Sequence, residues 1–144
     1  LTIILTINLF SLYYSWYMTW DWFDMSQHLA GGFFVAMLMS AYLKENLKSW
    51  EEIKNTLIIV GTTVFIGVVW EFSEYIANQT LIEPFYHWFG IRAYFMGDLN
   101  DTIKDLLTDT LGALTFVSWH LLRSRDAHQI KTNLENNNNG PAQI

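Results

Sequence analysis

The 144-residue chain has no cysteine. Disulfides, thiolate metal sites and cysteine nucleophiles are thereby excluded, and the compartment is left open. Basic residues are few, eight Lys and Arg against fourteen Asp and Glu. They form no patch or stripe of the kind that nucleic-acid binding requires, so that class is set aside. Charge is missing altogether from residues 1–20, which hold no Asp, Glu, Lys, Arg or His. An apolar run of about 20 residues is long enough to cross a hydrocarbon layer of about 30 Å, whereas a soluble helix would show a polar face. This stretch also lacks a basic leader and a small-residue cleavage site before Asp21, so it reads as a span rather than a signal peptide. The first residue is Leu, as in a chain that begins inside a longer or processed one.

What is present points to a membrane. Apolar residues make up 51% of the chain, and 7 Trp, 7 Tyr and 10 Phe accompany them. Amphipathic rings concentrate where lipid meets water. The sequence predicts an all-α integral membrane domain over residues 1–124, a bundle of four transmembrane helices at about 1–20, 25–43, 50–77 and 101–122. Asp24 and Gln27 have the form of a capping box at the second helix, and Ser49 and Glu52 at the third. Between the third and fourth helices, residues 83–96 are too aromatic for a solvated loop. Pro84 suits a helix start and Gly90 a stop, so a short helix lying in the interface is expected there. Residues 125–144 turn polar and end in NLENNNNGPAQI, for which disorder is the expectation.

Basic residues set the orientation, because Lys and Arg in short loops are retained on the cytoplasmic side. Lys44, Lys48 and Lys54 lie between helices two and three, and Arg123, Arg125 and Lys131 follow helix four. Four spans place all six on one side. Both termini are then cytoplasmic, and Arg92 and Lys104 lie on the external side.

With this topology, three parts of the chain bring acids to one depth. Asp24 and His28 begin helix two, Glu71 and Glu74 end helix three, and Asp98, Asp101, Asp105 and Asp109 begin helix four. Spacings of three and four residues put each set on a single helical face. These stripes avoid lipid by facing one another. Asp24 reads mainly as a helix N-cap, and Asp98 and Asp101 as partners of a helix dipole. Glu71 and Glu74 sit where the dipole disfavours negative charge, and an acid near mid-membrane costs about 2.5 to 3.5 kcal/mol. Protons, the counter-ions Lys104 and Arg92, or a bound cation must compensate. His28, Glu71, Glu74, Asp101, Asp105 and Asp109 are the candidate ligands of a divalent metal cation; magnesium, manganese, calcium, iron and zinc all suit carboxylates with one imidazole. The spacing is not the Glu-x-x-His pairing of di-iron bundles.

Other features have plainer readings. Gly32, Ala36 and Ser40 form a small-residue stripe for close helix packing. Asn78-Gln79-Thr80 matches a glycosylation sequon, a triplet frequent by chance. His87 and His120 read as interfacial residues.

The order of these pieces resembles the VanZ-like and YjdF-like bacterial inner-membrane proteins. Residues 24–32 (DMSQHLAGG) are similar to their Asp-x-x-x-His segment, 70–75 (WEFSEY) to their glutamate-bearing helix, and 97–113 (GDLNDTIKDLLTDTLGA) to the Asp-rich start of their last helix. Asp109 and Glu74 stand where VanZ-like chains commonly carry Asn and Gln, which brings this sequence nearer to the YjdF-like pattern. The resemblance implies a small polytopic inner-membrane protein, in one case linked to glycopeptide-antibiotic resistance, with no established reaction.

Three functions follow as expectations: an acidic cation site open to the external side that acts on an envelope lipid or precursor; a proton- or ion-coupled transporter subunit; or a structural or regulatory membrane protein whose acids only form ion pairs. The expected partners are membrane lipids, with homo-oligomerisation required by the transporter reading.

Overall fold

The computed structural model describes residues 6, 7, 10, 11, 14, 16, 20–45, 52–91, 93 and 95–138. The expected first span lies mostly outside them, as do the Ser49 end of the second capping box and Arg92. The described chain is all-helical: α1 Asp21–Tyr42, α2 Glu52–Thr80, α3 Ile82–Phe89 and α4 Leu99–Asn138.

α1 begins earlier than the capping box suggests. Its N-cap is Trp20, in extended conformation and without a side-chain cap bond. Asp24 therefore stands inside the first turn, its carboxylate free for tertiary contacts. α3 is closed as expected by Gly90, whose φ of 70° is the left-handed conformation that favours glycine, with its N–H donating to the Tyr86 carbonyl at 2.8 Å. Pro84 sits in its first turn rather than at its first position.

α4 extends into the polar tail, of which residues 139–144 lie outside the described ones. Where disorder is predicted from residue 125, the helix continues to Asn138. No Gly or Pro falls between Ala113 and Asn139, so nothing in the sequence stops the helix once it is propagating. Its described side chains from Leu122 onward are all exposed, as a segment with no apolar set to bury requires. At roughly 1.5 Å per residue, 40 residues reach about 60 Å, twice a hydrocarbon core.

α1 and α4 run parallel with their backbones in close approach. A Cβ on Gly32 would collide with the Asp109 backbone, and one on Gly112 with the backbone of Leu29 and Phe33. The small-residue stripe thus faces α4, with Gly32 and Ala36 buried. α2 runs antiparallel to both and closes a core of Ala36, Ile59, Ala113, Phe116 and Val117. The Phe33 and Phe116 rings meet edge to face at 5.5 Å.

By length and composition, one described helix, α2, can cross a membrane, and only 22% of its most apolar stretch is buried. The core helix of a soluble protein would be mostly covered. Here Ile53, Leu57, Phe65, Val69 and Phe72 point outward. The start of α4 carries Asp101, Lys104, Asp105 and Asp109, and these charges dilute an otherwise apolar helix.

Candidate functional site

The parallel packing of α1 and α4 places two i,i+4 pairs opposite each other, Asp24 and His28 on one helix and Asp105 and Asp109 on the other. The imidazole lies at the centre. Its Nε2 is 3.8 Å from Asp24 Oδ1 and 3.9 Å from Asp105 Oδ1, and its Nδ1 is 3.4 Å from Asp109 Oδ1. One ligand atom each from Asp24, His28 and Asp105 can be chosen so that all three lie within 4.8 Å of one another. His28, Asp105 and Asp109 are buried, as is Glu71 from α2.

Glycine makes this convergence possible. Gly32 brings α1 against α4, and Gly67 on α2 leaves room for the Asp109 carboxylate, since a Cβ there would lie 2.6 Å from Asp109 Oδ2. Asp109 is therefore held between His28 and the bare backbone of α2.

Within the cluster, Asp105 Oδ1 and Glu71 Oε1 are buried with no hydrogen-bond partner among the described residues, and the Thr102 hydroxyl faces the Glu71 carboxyl group. Buried polar atoms are ordinarily paired, and leaving one unpaired costs about 1 to 3 kcal/mol, more for a charged group. Lys104, expected as a counter-ion, is exposed and has no ion-pair partner among the described residues. An ion pair between two helices, Arg125 to Glu52 at 3.3 Å, is at the opposite end of the bundle and exposed.

Of the six candidate ligands, His28, Glu71, Asp105 and Asp109 are brought together. Glu74 is partly buried and accepts a 2.7 Å hydrogen bond from the Trp70 indole N–H. The Asp101 carboxylate lies against Gly97, and Asp98 Oδ1 accepts the Asp101 N–H at 3.0 Å, an N-cap bond at the helix end where a dipole partner is expected. Both belong to the rim. Asp24 moves the other way, from cap to cluster; its i,i+4 spacing to His28 was the available signal.

Sequence reasoning passed over Asn78 as a sequon. Its amide Nδ2 donates to the Met96 carbonyl at 3.1 Å and its Oδ1 accepts the Phe95 N–H at 2.8 Å, tying the segment that leads into α4 to the end of α2. His120 stacks on Phe116, and His87 is exposed. Neither approaches the cluster.

No curated protein and no solved structure matches this chain. Residues 1–126 match the model of a family described as a predicted membrane protein, DUF2238, and because that match takes in the helices and the acidic cluster together, the chain belongs to this family of membrane proteins.

Proposed function

We propose that this protein spans the bacterial inner membrane four times, with both termini cytoplasmic, and holds a divalent cation near the external face through Asp24, His28 and Asp105, with Glu71 alongside. The carrying observation is the pair of buried carboxylate oxygens, on Asp105 and Glu71, that have no hydrogen-bond partner among the described residues. A divalent ion held by these residues would supply the missing positive charge and could activate a water as nucleophile. The exposed Tyr86, Trp88 and Phe89 of α3 suit contact with lipid, so an envelope lipid or precursor is the substrate class that the reading favours. The order of motifs shared with VanZ-like and YjdF-like proteins supports the same four-span arrangement.

Metal analysis of the purified full chain, before and after chelation, tests the site. About one divalent ion per chain is expected, lost on chelation and strongly reduced in Glu71→Gln and Asp105→Asn. Both variants should still insert, since an amide is cheaper than a carboxylate in lipid. The ion-pair alternative predicts coupling between Glu71 and Lys104 in a double-mutant cycle of thermal stability. Strong coupling there, with no response to any ion, would overturn the cation site.

A further inference from the structure

Resting on that reading, we infer that the site selects a first-row transition ion that takes an imidazole nitrogen, and that Asp109 is a positioning residue that orients His28 from outside the coordination shell. The two ring nitrogens face different partners. Nδ1 meets Asp109 at 3.4 Å, whereas Nε2 points between Asp24 and Asp105. A carboxylate at Nδ1 holds the N–H there and leaves the Nε2 lone pair for a ligand, the carboxylate–histidine–metal arrangement. The converging ligand atoms are those of Asp24, His28 and Asp105, without Asp109; the Asp109 Oδ2 fills the space beside Gly67, 2.6 Å from where a Cβ would stand.

The donor set that remains is one nitrogen and two carboxylates, with the buried Oε1 of Glu71, which has no hydrogen-bond partner among the described residues, as a fourth candidate. Ligand atoms about 2.1 Å from an ion stand roughly 3 to 4 Å apart; the 3.8 and 3.9 Å separations lie in that range, and the set as a whole, within 4.8 Å, must draw in around an ion. Magnesium and calcium take oxygen ligands and do not repay presenting an imidazole, whereas zinc, iron and cobalt do.

The test is titration of the metal-free full chain in detergent with Co²⁺, Zn²⁺ and Mg²⁺, following the visible absorption of bound Co²⁺, for the wild type, Asp109→Asn, Gly67→Ala and His28→Ala. Wild type should bind Co²⁺ and Zn²⁺ well over Mg²⁺. Asp109→Asn should keep one ion per chain with affinity lowered about 10- to 100-fold and an altered cobalt spectrum. Gly67→Ala, which displaces the Asp109 carboxylate without removing it, should change the spectrum in the same sense, and His28→Ala should abolish cobalt binding. An Asp109→Asn protein that binds cobalt like wild type, whatever its thermal stability, overturns the positioning role. Complete loss of binding in that variant makes Asp109 a ligand and overturns it too. Preference for Mg²⁺ overturns the metal class while leaving the cation site standing, and a wild type that binds none of the three ions overturns both readings.

Discussion

Asn78 shows how a polar side chain can determine the path of a whole segment. Both ends of its amide are used, one on the Met96 carbonyl and one on the Phe95 N–H. Asn78→Ala leaves these two backbone groups without their partner, so thermal stability should fall by about 1 to 3 kcal/mol, and the Phe95 amide should exchange faster with solvent. Unchanged exchange at Phe95 would show that the clamp does not hold the segment. Such a role was invisible in the sequence, because the partners lie 17 and 18 residues away in an irregular stretch with no periodicity. The cluster was more legible. His28, Glu71, Glu74, Asp105 and Asp109 are the residues whose placement in apolar helices has no cheap local explanation; four of them converge, and Glu74 instead accepts from the Trp70 indole. Asp24 was misassigned because an acid just before an apolar run looks like a cap until the true helix start, at Asp21, is known.

Among the helices, glycines in similar apolar surroundings have opposite roles, and geometry separates them. Gly32 and Gly112 lie at the α1–α4 crossing, where an added Cβ meets backbone atoms that cannot rotate away. Gly32→Ala and Gly112→Ala should each destabilise the fold by about 1 to 3 kcal/mol through overpacking and move His28 relative to Asp105. Gly61, on α2, has nothing within 4 Å of the place a Cβ would take, so Gly61→Ala should be neutral or stabilising by up to about 1 kcal/mol through helix propensity. Thermal unfolding of the three variants decides; equal losses at all three positions would mean that the close approach is not what these glycines serve. Helix locations followed from apolar runs and were read within a few residues for α1 and α2. The end of α4 was not, because composition reports whether a segment can be buried, and a solvated helix with no breaker satisfies the same composition.

At the scale of the whole molecule, charge separates the two ends of the bundle. The acidic cluster sits where α1 and α4 begin and α2 approaches its end, while Arg125 meets Glu52 at the far end, 3.3 Å apart. An exposed pair of this kind contributes about 0 to 1 kcal/mol, so its meaning is positional: residue 125 and the start of α2 share a side. In the proposed topology, retention of basic segments assigns that side to the cytoplasm and the side of the cluster and α3 to the exterior. Because the chain has no cysteine, single substitutions can be labelled without background. Ser124→Cys and Asn133→Cys should be protected from a membrane-impermeant thiol reagent in intact cells and become reactive when the membrane is opened. Gln79→Cys and Glu83→Cys, at exposed positions flanking the turn between α2 and α3, should react from outside. Labelling of position 83 and position 124 from the same side would break the four-span topology, since α4 would then have to return without crossing, and the cluster would lose its claim to the external face.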